Sequence, residues 1–346
     1  MIEAPGSQVA SLGGPSRARL TCGVALCTHN GRPYLSEQFD SMLAQSRCLE
    51  QIVISDDASS DGTWELATEW ARYVEEEYRI SVVLFRNAQA IGVAKNFEQA
   101  VRALETDLIF LCDQDDVWTG DKVEVLAAVF EAQPELFLVH TDARLIDRHG
   151  VTLQGSIFKA LWLSDRERSF MQQRKFVNIF VRRNLVTGAT AAIRRELLKV
   201  ALPIPEPWIH DEWFAACAAA HDAICSLSLQ LTWYRVHGSN VIGVPVSSMS
   251  RVILAFERMR RMARSEHLEY KLQRLIAFKT MLANVPGRTR EKVALLDEAI
   301  EHFQRRLRFG RWRIGRIIPV LQEYVTGAYG RFSEGVLAAT RDLLQK

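Results

Sequence analysis

The chain of 346 residues is 48% hydrophobic and 24% charged, which is typical of a globular protein and excludes a disordered or collagen-like chain. It carries 43 Lys and Arg against 41 Asp and Glu. This near-zero balance argues against a surface that coats nucleic acid, so we expect no nucleic-acid partner.

Apolar runs alternate with segments of helical spacing along the first 140 residues. The runs predict five strands, at residues 20–26, 51–54, 80–85, 108–112 and 136–140. The segments between them predict helices at residues 34–45, at 63–77, from about 93 onward, and at 120–132. Thr63 is expected to cap the second of these helices. The alternation favours an α/β fold with a mostly parallel central sheet and helices on both faces.

The two ends of the chain differ from its middle. Residues 1–19 are rich in Gly, Pro and Ser and lack the apolar core of a secretory signal, so we expect a flexible leader. Residues 20–245 contain the predicted sheet. Residues 246–346 are helical by composition and basic, because 251–316 contain 17 Lys and Arg against 7 Asp and Glu. We therefore predict one α/β domain followed by a basic helical region.

Three predicted strands end in polar clusters, which are residues 28–31, Asp56-Asp57 and the DQDD loop (residues 113–116). Parallel sheets bind ligands at the carboxyl ends of their strands, so we expect these clusters to line one site. The three carboxylates of the DQDD loop repel one another when ionised, and a hard cation such as Mg²⁺ or Mn²⁺ would relieve that repulsion. The alternative is a solvated acidic turn at the start of the next helix.

Several common functional motifs are absent from the sequence. There is no GxGxxG after the first predicted strand, no P-loop motif and no GxSxG, which disfavours dinucleotide, P-loop and serine-hydrolase chemistry. His210, His221 and His237 do not have the spacing of a zinc site. Six cysteines without a CxxC pair, and no apolar run near the ~18 residues of a membrane span, lead us to expect reduced thiols in a cytoplasmic protein.

The order of seven motifs resembles the family-2 glycosyltransferases with the GT-A fold. The matching segments are CTHNGRPYLSEQFDSMLAQS (27–46), SDDASSDGT (55–63), NAQAIGVAKNFEQA (87–100), LCDQDDVW (111–118), TGATAAIRREL (187–197), HDEW (210–213) and YRVHGSN (234–240). The resemblance implies a GT-A catalytic domain over residues 20–245. Within the family, the sequence is most similar to bacterial rhamnosyltransferase-type enzymes of surface-polysaccharide synthesis, a similarity that includes residues 329–344.

The resemblance also implies roles for individual residues in donor binding. The positions that match nucleotide-sugar-binding residues of the family are Thr28, Asn30, Asp57, Lys95, Asp113 and His237. These side chains are expected to hold the base, ribose and diphosphate of the donor.

Metal-binding and catalytic roles follow from the same resemblance. Asp115 is the expected direct ligand of a divalent cation, Mg²⁺ or Mn²⁺, with Asp113 and His237 as further ligands. Asp211 matches the catalytic base. Glu212 is the alternative base, because this motif reads HDEW where many members have an ED pair.

The implied reaction is metal-dependent transfer of a sugar with inversion. A cation would neutralise the departing diphosphate, and a carboxylate would accept the proton of the acceptor hydroxyl. We expect a dTDP- or UDP-sugar donor, with dTDP-L-rhamnose favoured, and a lipid-linked glycan of an O-antigen-like polysaccharide as acceptor. Two alternatives stay open: a nucleotidyltransferase that makes a nucleotide-sugar, and a saccharide-binding module with a degenerate active site.

Cations alternate with apolar residues in the segment QRRLRFGRWRIGRII, residues 304–318. This pattern suits an anionic membrane surface, and Arg305, Arg306 and Arg308 are the first candidates for contact with it. We therefore expect a peripheral protein at the inner face of the cell membrane. One alternative is a helical face that packs on the catalytic domain. Nucleic acid is a third and weaker interpretation, because no nucleic-acid-binding module accompanies the segment.

Overall fold

The computed structural model describes residues 19–237, 262–286, 289–310 and 312–345. Nearly all of the predicted leader and the predicted domain boundary at 245/246 lie outside these residues. The described strands are β1 (Cys22–Thr28), β2 (Gln51–Asp56), β3 (Ser81–Arg86), β4 (Leu108–Asp113), β5 (Val117–Trp118), β6 (Leu138–Ile146), β7 (Thr152–Ser156), β8 (Ala191–Arg194) and β9 (Ile224–Arg235).

In the described part of the chain these nine strands form one sheet, in the order β3-β2-β1-β4-β8-β6-β9-β5, with β7 paired to β6. Strands β1 to β4 are mutually parallel, and β6 and β9 run in the same direction as they do. Strands β5, β7 and β8 run the opposite way. The expected mostly parallel sheet is thus confirmed. The predicted fifth strand is β6, which is separated from β4 by the antiparallel β8.

The helices before β9 are α1 (Arg32–Leu43), α2 (Thr63–Tyr78), α3 (Val93–Ala103), α4 (Lys122–Ala132), α5 (Ile157–Ala160), α6 (Asp165–Gln172), α7 (Val177–Phe180), α8 (Leu198–Ala201) and α9 (His210–Ala220). After β9, the described helices are α10 (Arg264–Ala283), α11 (Arg290–Leu307), α12 (Ile317–Val325), α13 (Ala328–Phe332) and α14 (Val336–Leu344). The four helices predicted before residue 133 are all present, with bounds that differ from the prediction by at most two residues.

The sheet separates two hydrophobic cores, because successive side chains of a strand point to opposite faces. Val24 and Leu26 of β1 belong to the core formed with α1, α2 and α4. Ala25 and Cys27, which alternate with them, belong to the core formed with α3 and α9. Burial on both faces explains why the parallel strands read as continuous apolar runs.

The C-terminal helices α10 and α11 pack on the second of these cores. They contribute Phe278, Leu282 and Phe303 to the same cluster that contains α9. Helices α12 to α14 surround a smaller cluster around Tyr329. Part of the C-terminal helical region therefore packs on the α/β domain. Across the described ranges, no helix combines the length and apolar character needed to cross a bilayer.

The start of α2 differs from the prediction that Thr63 caps it. Thr63 is the first helical residue, and its Oγ1 accepts a hydrogen bond from the Gly31 backbone N (2.9 Å). The Asp61 carboxylate accepts a hydrogen bond from the Thr63 backbone N at 3.0 Å. The hydroxyl of Thr63 is thus used to tie the loop after β1 to the loop after β2.

Candidate active site

The loop after β1 is bonded to the ends of both neighbouring strands. The buried Thr28 hydroxyl donates to Asp56 Oδ2 at 2.8 Å, at the end of β2. The backbone N of His29 donates to Gln114 Oε1 (2.7 Å), and Gln114 Nε2 donates back to the His29 carbonyl (3.0 Å). Through these bonds the first, second and fourth strand ends form one continuous rim, as their parallel arrangement leads us to expect.

Asp57 is buried at this rim and holds a second loop in place. Its Oδ1 accepts hydrogen bonds from Asn87 Nδ2 (3.0 Å) and the Ile91 backbone N (2.8 Å). Its Oδ2 accepts from the Gly92 backbone N at 2.9 Å. The loop that enters α3 is therefore built around the Asp57 carboxylate.

Asn30 and Lys95 bond to groups other than the acids of the DQDD loop, among the described residues. Asn30 is exposed, with a left-handed backbone (φ 51°), and its Oδ1 accepts a hydrogen bond from the Ser60 backbone N at 2.9 Å. Lys95 Nζ donates to Glu98 Oε2 (2.9 Å) and to the Ile204 carbonyl (3.4 Å). Within the described residues, Lys95 makes no bond to the DQDD loop.

The DQDD loop places three carboxyl groups at the end of β4. Burial, followed by the charges of Asp115 and Asp211, raises the pKa of Asp113 to about 7. Asp116 is buried, and burial together with the charges of Asp115 and Asp113 raises its pKa well above the usual range. Asp116 Oδ1 accepts from the Arg235 backbone N (2.9 Å), whereas Oδ2 has no hydrogen-bond partner among the residues that the structure describes.

The end of β9 closes over this loop. His237 Nε2 lies 2.8 Å from Asp115 Oδ2, and the His237 ring stacks on Tyr34 with 4.8 Å between ring centroids. Arg235 is fully buried, and its Nε donates to the Asp115 carbonyl at 2.8 Å. Its Nη2 donates to Glu37 Oε2 at 2.6 Å. Helix α1 and strand β9 therefore jointly position the DQDD loop.

Asp211 lies in the first turn of α9 and is buried. Its Oδ2 accepts from the Gly188 backbone N at 3.0 Å, and its Oδ1 accepts from the Glu212 backbone N at 2.7 Å. Burial raises the pKa of Asp211 to about 6 despite these bonds. A Cβ atom at Gly188 would lie 2.9 Å from His210 Nε2, so the close approach of this backbone requires glycine.

Glu212, the alternative base, is engaged differently. Its carboxylate forms an ion pair with Arg274 of α10, and the Arg274 guanidinium lies 4.0 Å from the centre of the Trp208 ring. Burial raises the pKa of Glu212, while Arg274 lowers it. Of the two carboxylates, only Asp211 is among the charges that raise the pKa of Asp113.

Electrostatic effects on buried neighbours show that the acids converge. Burial raises the pKa of Tyr234, and the carboxylates that raise it further are those of Asp116, Asp113, Asp115 and Asp211. Burial likewise raises the pKa of Cys27, and Asp113 and Asp57 both add to that rise. Acids from β2, β4 and α9 therefore share one region at the carboxyl edge of the sheet.

Three residues of this region were missed by the sequence analysis: Gln114, Lys122 and Arg235. Lys122 is fully buried, donates from Nζ to the Ala189 carbonyl (2.7 Å) and lies 3.9 Å from the Trp118 ring centroid. Burial lowers its pKa to about 7, although Asp116 and Asp113 favour its charged form. No local pattern marks a lysine at the start of a helix as buried, whereas Arg235 stands inside the YRVHGSN motif.

The donor set suits a hard divalent cation. Asp115 and His237 already approach each other, and the buried Oδ2 of Asp116 lacks a partner, which is unusual for a carboxylate oxygen. Among the described residues there is no group of three His, Cys, Asp or Glu side chains arranged to hold a metal ion. The two carboxylates Asp113 and Asp115, with His237 beside them, fit Mg²⁺ or Mn²⁺, which bind to one or two carboxylates and complete their shell with substrate phosphates and water.

Comparison with known families agrees with this geometry. The model of the family described as Glycosyl transferase family 2 matches residues 23–201, which is just over half of the chain. The chain belongs to glycosyl transferase family 2. Membership of this family does not support the nucleotidyltransferase alternative.

Curated relatives of this family-2 glycosyltransferase are distant. It is 27% identical over 220 residues to an uncharacterised glycosyltransferase of Nostoc sp., covering 63% of this chain and 65% of that protein. It is 30% identical over 103 residues to the dTDP-rhamnosyl transferase RfbG of Shigella flexneri, covering 29% of this chain and 34% of that protein. The chain thus spans between about a third and two thirds of these relatives' lengths.

The fold of the family-2 glycosyltransferase is also seen in solved structures. S. aureus TarS in complex with UDP-GlcNAc superposes with a TM-score of 0.56 at 14% sequence identity, covering 93% of this chain and 90% of that chain. The TarS complex with UDP gives a TM-score of 0.52 at 16% identity. These likenesses confirm the predicted GT-A fold.

Proposed function

We propose that this family-2 glycosyltransferase is a metal-dependent, inverting enzyme that transfers a sugar from a nucleoside diphosphate donor to a hydroxyl group. The observation that carries the proposal is the convergence of a buried carboxylate, Asp211, on the acidic edge formed by Asp113, Asp115 and Asp116. A direct displacement needs a base that accepts the proton of the acceptor hydroxyl, and a cation-binding site that stabilises the departing nucleoside diphosphate.

Asp211 is the proposed general base. A carboxylate whose pKa is raised to about 6 is ionised at neutral pH and is still basic enough to accept a proton from a reacting hydroxyl. Its bonds to the Gly188 and Glu212 backbone N–H groups fix its orientation. Because a single base and direct attack are used, the product has inverted configuration at the anomeric carbon, whose transition state is oxocarbenium-like.

Glu212 is proposed to have a positioning role instead. Its ion pair with Arg274 links the base-bearing helix α9 to α10, and it is the Asp211 carboxyl rather than that of Glu212 that interacts with Asp113. We infer that Glu212 holds the start of α9 and does not take the proton.

Asp115, Asp113 and His237 are the proposed residues that hold Mg²⁺ or Mn²⁺ when a donor is bound. The cation would stabilise the negative charge of the departing nucleoside diphosphate. Two further residues position these ligands. Arg235 donates a hydrogen bond to the Asp115 carbonyl, and the Tyr34 ring stacks on His237.

The donor end of the site is proposed to comprise Thr28, Asn30, Asp57 and Lys95. Thr28 and Asp57 act by shaping the rim, because their side chains already bond to Asp56 and to the 87–92 loop. The exposed Asn30 and the half-exposed Lys95 are the side chains with room to meet the nucleotide directly.

We further propose dTDP-L-rhamnose as the donor and a lipid-linked glycan of surface-polysaccharide synthesis as the acceptor. The support is the similarity to RfbG, which is named a dTDP-rhamnosyl transferase, and the similarity of the motifs to rhamnosyltransferase-type enzymes. UDP-sugars are the next donors to test, because TarS binds UDP-GlcNAc on the same fold.

A donor screen tests this proposal. The purified protein is incubated with dTDP-L-rhamnose, UDP-sugars and GDP-mannose, with Mn²⁺ or with a chelator, and release of nucleoside diphosphate is measured. We expect release from one donor class with Mn²⁺ and none with chelator, and shifts in melting temperature with dTDP, UDP and GDP would rank the nucleotides beforehand.

The matched variants for this screen are Asp115→Ala and Asp165→Ala. Asp165 is an exposed residue in the first turn of α6, away from the site. We expect Asp115→Ala to abolish release and Asp165→Ala to retain it. Release that persists in chelator and in Asp115→Ala would refute metal dependence, and the absence of release from every donor would support the degenerate-module alternative.

A further inference from the structure

Helix α12 exposes an apolar face and buries a mixed one. Ile318, Leu321 and Val325 point outward, and Val325 is 85% exposed. Val320 and Glu323 are the buried residues of the helix. Because residues three, four and seven positions apart lie on one side of a helix, the outward side of α12 is a continuous apolar stripe.

The segment before α12 extends this apolar surface. Trp312 is 85% exposed and Ile314 is 83% exposed, so both side chains project from the protein. We call the whole set the outer face; its members are Trp312, Ile314, Ile317, Ile318, Leu321, Tyr324 and Val325. Seven large exposed apolar side chains within fourteen residues mark an interaction site more often than ordinary solvent-facing surface.

The exposed charges without an ion-pair partner in the segment that carries the outer face are positive among the described residues. Between residues 302 and 333 the sequence contains a single acid, Glu323. Its carboxylate is buried and accepts hydrogen bonds from Arg305 Nε and pairs with His302. Arg308 and Arg313 are exposed, and the structure shows no hydrogen bond or ion pair of their side chains with other described residues. The outer face is therefore apolar with a cationic margin.

Other arginines of this segment turn out to be structural, which corrects the sequence-based choice of contact residues. Arg306 is buried and ion-paired with Asp342, and Arg305 is bonded to Glu323. Arg316 is buried and donates to the Gly310 and Asp342 carbonyls. Arg311 lies outside the described residues. Of the three arginines predicted first, Arg306 is excluded by its burial, Arg305 is exposed but paired with Glu323 and Glu301, and Arg308 is exposed without an ion pair among the described residues.

We propose that the outer face docks on the surface of an anionic lipid bilayer. Side chains such as Trp312 and Ile314, which project singly, suit insertion among lipid headgroups, where tryptophan is favoured. Arg308 and Arg313 would meet the anionic headgroups. A second copy of the chain is a less suitable partner for the outer face, because Arg308 and Arg313 of the two copies would face and repel each other. The inference rests on the proposed function in one respect: a bilayer-bound enzyme meets a lipid-linked acceptor.

Vesicle binding tests the apolar part of the outer face by placing a charge at one of two exposed valines, one on the outer face and one elsewhere. Full-length protein is sedimented with vesicles of phosphatidylglycerol and phosphatidylcholine, or of phosphatidylcholine alone, at low and high salt. Val325→Glu is compared with Val151→Glu, a change at an exposed valine beside β7. We expect Val325→Glu to weaken binding to the anionic vesicles by more than tenfold and Val151→Glu to leave it unchanged.

The charged margin is tested separately. Arg308→Gln combined with Arg313→Gln should weaken binding to anionic vesicles by roughly tenfold or more, since each cation near such a surface contributes on the order of 1 kcal/mol. The control is Arg72→Gln combined with Arg168→Gln, two exposed arginines elsewhere in the chain. High salt should remove the difference between the two double variants.

Several outcomes would overturn the proposal. Equal sedimentation of Val325→Glu and Val151→Glu would do so, as would equal binding to the two vesicle compositions. A concentration-dependent dimer that Val325→Glu dissociates would assign the outer face to a second copy instead. The measurement needs neither donor nor acceptor, so its failure leaves the transferase proposal standing, and loss of activity in Asp115→Ala does not affect it.

Discussion

Two buried acids of this protein have opposite surroundings. Asp342 accepts hydrogen bonds from Arg264 Nε (2.8 Å), Arg306 Nε (2.6 Å) and the Tyr329 hydroxyl (2.6 Å). Burial alone would raise the pKa of Asp342, but these partners hold it below its usual range. Asp116 of the DQDD loop accepts one hydrogen bond, leaves Oδ2 without a partner, and has a raised pKa.

We interpret the difference as one between a structural ion cluster and the proposed ligand site. Breaking a fully paired buried ion cluster destabilises a protein strongly, whereas an incompletely paired carboxylate is itself a source of instability. Strongly shifted pKa values of this second kind concentrate at functional sites. The acids at the sheet edge thus carry an energetic cost that a bound cation and donor would relieve, and the C-terminal ion cluster of Arg264, Arg306, Tyr329 and Asp342 does not.

The largest expected effect comes from removing the proposed base. Asp211→Asn keeps the acceptor oxygen for the Gly188 N–H group but cannot take up a proton, so we expect the turnover rate to fall about 10²–10⁴-fold. Glu212→Gln is the neighbouring control and should lower the rate by less than tenfold. Both are measured by nucleoside diphosphate release with the donor identified in the screen. Full activity in Asp211→Asn would transfer the role of base to another residue.

The next largest effect should be structural. Asp342→Asn leaves Arg264 and Arg306 buried without their counter-charge, so we expect the free energy of unfolding to fall by about 3–5 kcal/mol. Asp297→Asn is the matched control, because Asp297 forms a surface ion pair with Lys279 that contributes less than about 1 kcal/mol. Urea denaturation measures both. Equal losses would remove the contrast between the two kinds of buried acid.

The pH dependence of the reaction should report Asp211. The assay uses saturating Mn²⁺, which would lower the pKa of the proposed metal ligand Asp113, so that Asp211 is the group that titrates. Burial raises the pKa of Asp211 to about 6, and the base must be ionised to work, so kcat/KM should rise about tenfold per pH unit up to pH 6 and level off above it. Circular dichroism over the same range checks that the fold persists. A rate that does not change between pH 5 and pH 8 would contradict a base with a raised pKa.

The smallest expected effect has the opposite sign to that of Asp342→Asn. Because the folded-state pKa of Asp116 is raised, its ionised form costs stability above that pKa, and the cost disappears as the pH falls to the unfolded value near 3.9. Asp116→Asn should therefore raise the melting temperature at pH 8 by about 2–4 °C per kcal/mol recovered, and should leave it unchanged near pH 4.

Thermal unfolding in the presence of chelator checks this effect. The Asp116→Asn variant should also show reduced transferase activity, in keeping with the usual trade-off between stability and function. A lower melting temperature at pH 8 would mean that the unpartnered Oδ2 is satisfied in the folded protein, and that the DQDD loop resembles the C-terminal ion cluster after all.

Local sequence patterns were sufficient to predict the first strands and the polar loops that follow them. Apolar runs that end in Thr28, Asp56 and Asp113 are read correctly as strands β1, β2 and β4, because burial of both faces of a parallel sheet leaves an unmistakable local pattern. The same apolar runs predicted where each strand ends. Because the strands are parallel, they also predicted that the polar residues after them lie at one edge of the sheet.

Which side chains meet at this edge of the sheet depends on the tertiary structure and could not be predicted from local patterns. The hydrogen bond between Arg235 and Asp116 joins residues that are 119 positions apart in the sequence. Strand β8 lies between β4 and β6 in the sheet. No local sequence pattern indicates either the bond or the position of β8. Burial of Lys122 and pairing of Arg306 with Asp342 depend in the same way on segments distant in sequence. Periodicity reports one element at a time, whereas a charge becomes paired, unpaired or exposed only through its neighbours from other elements.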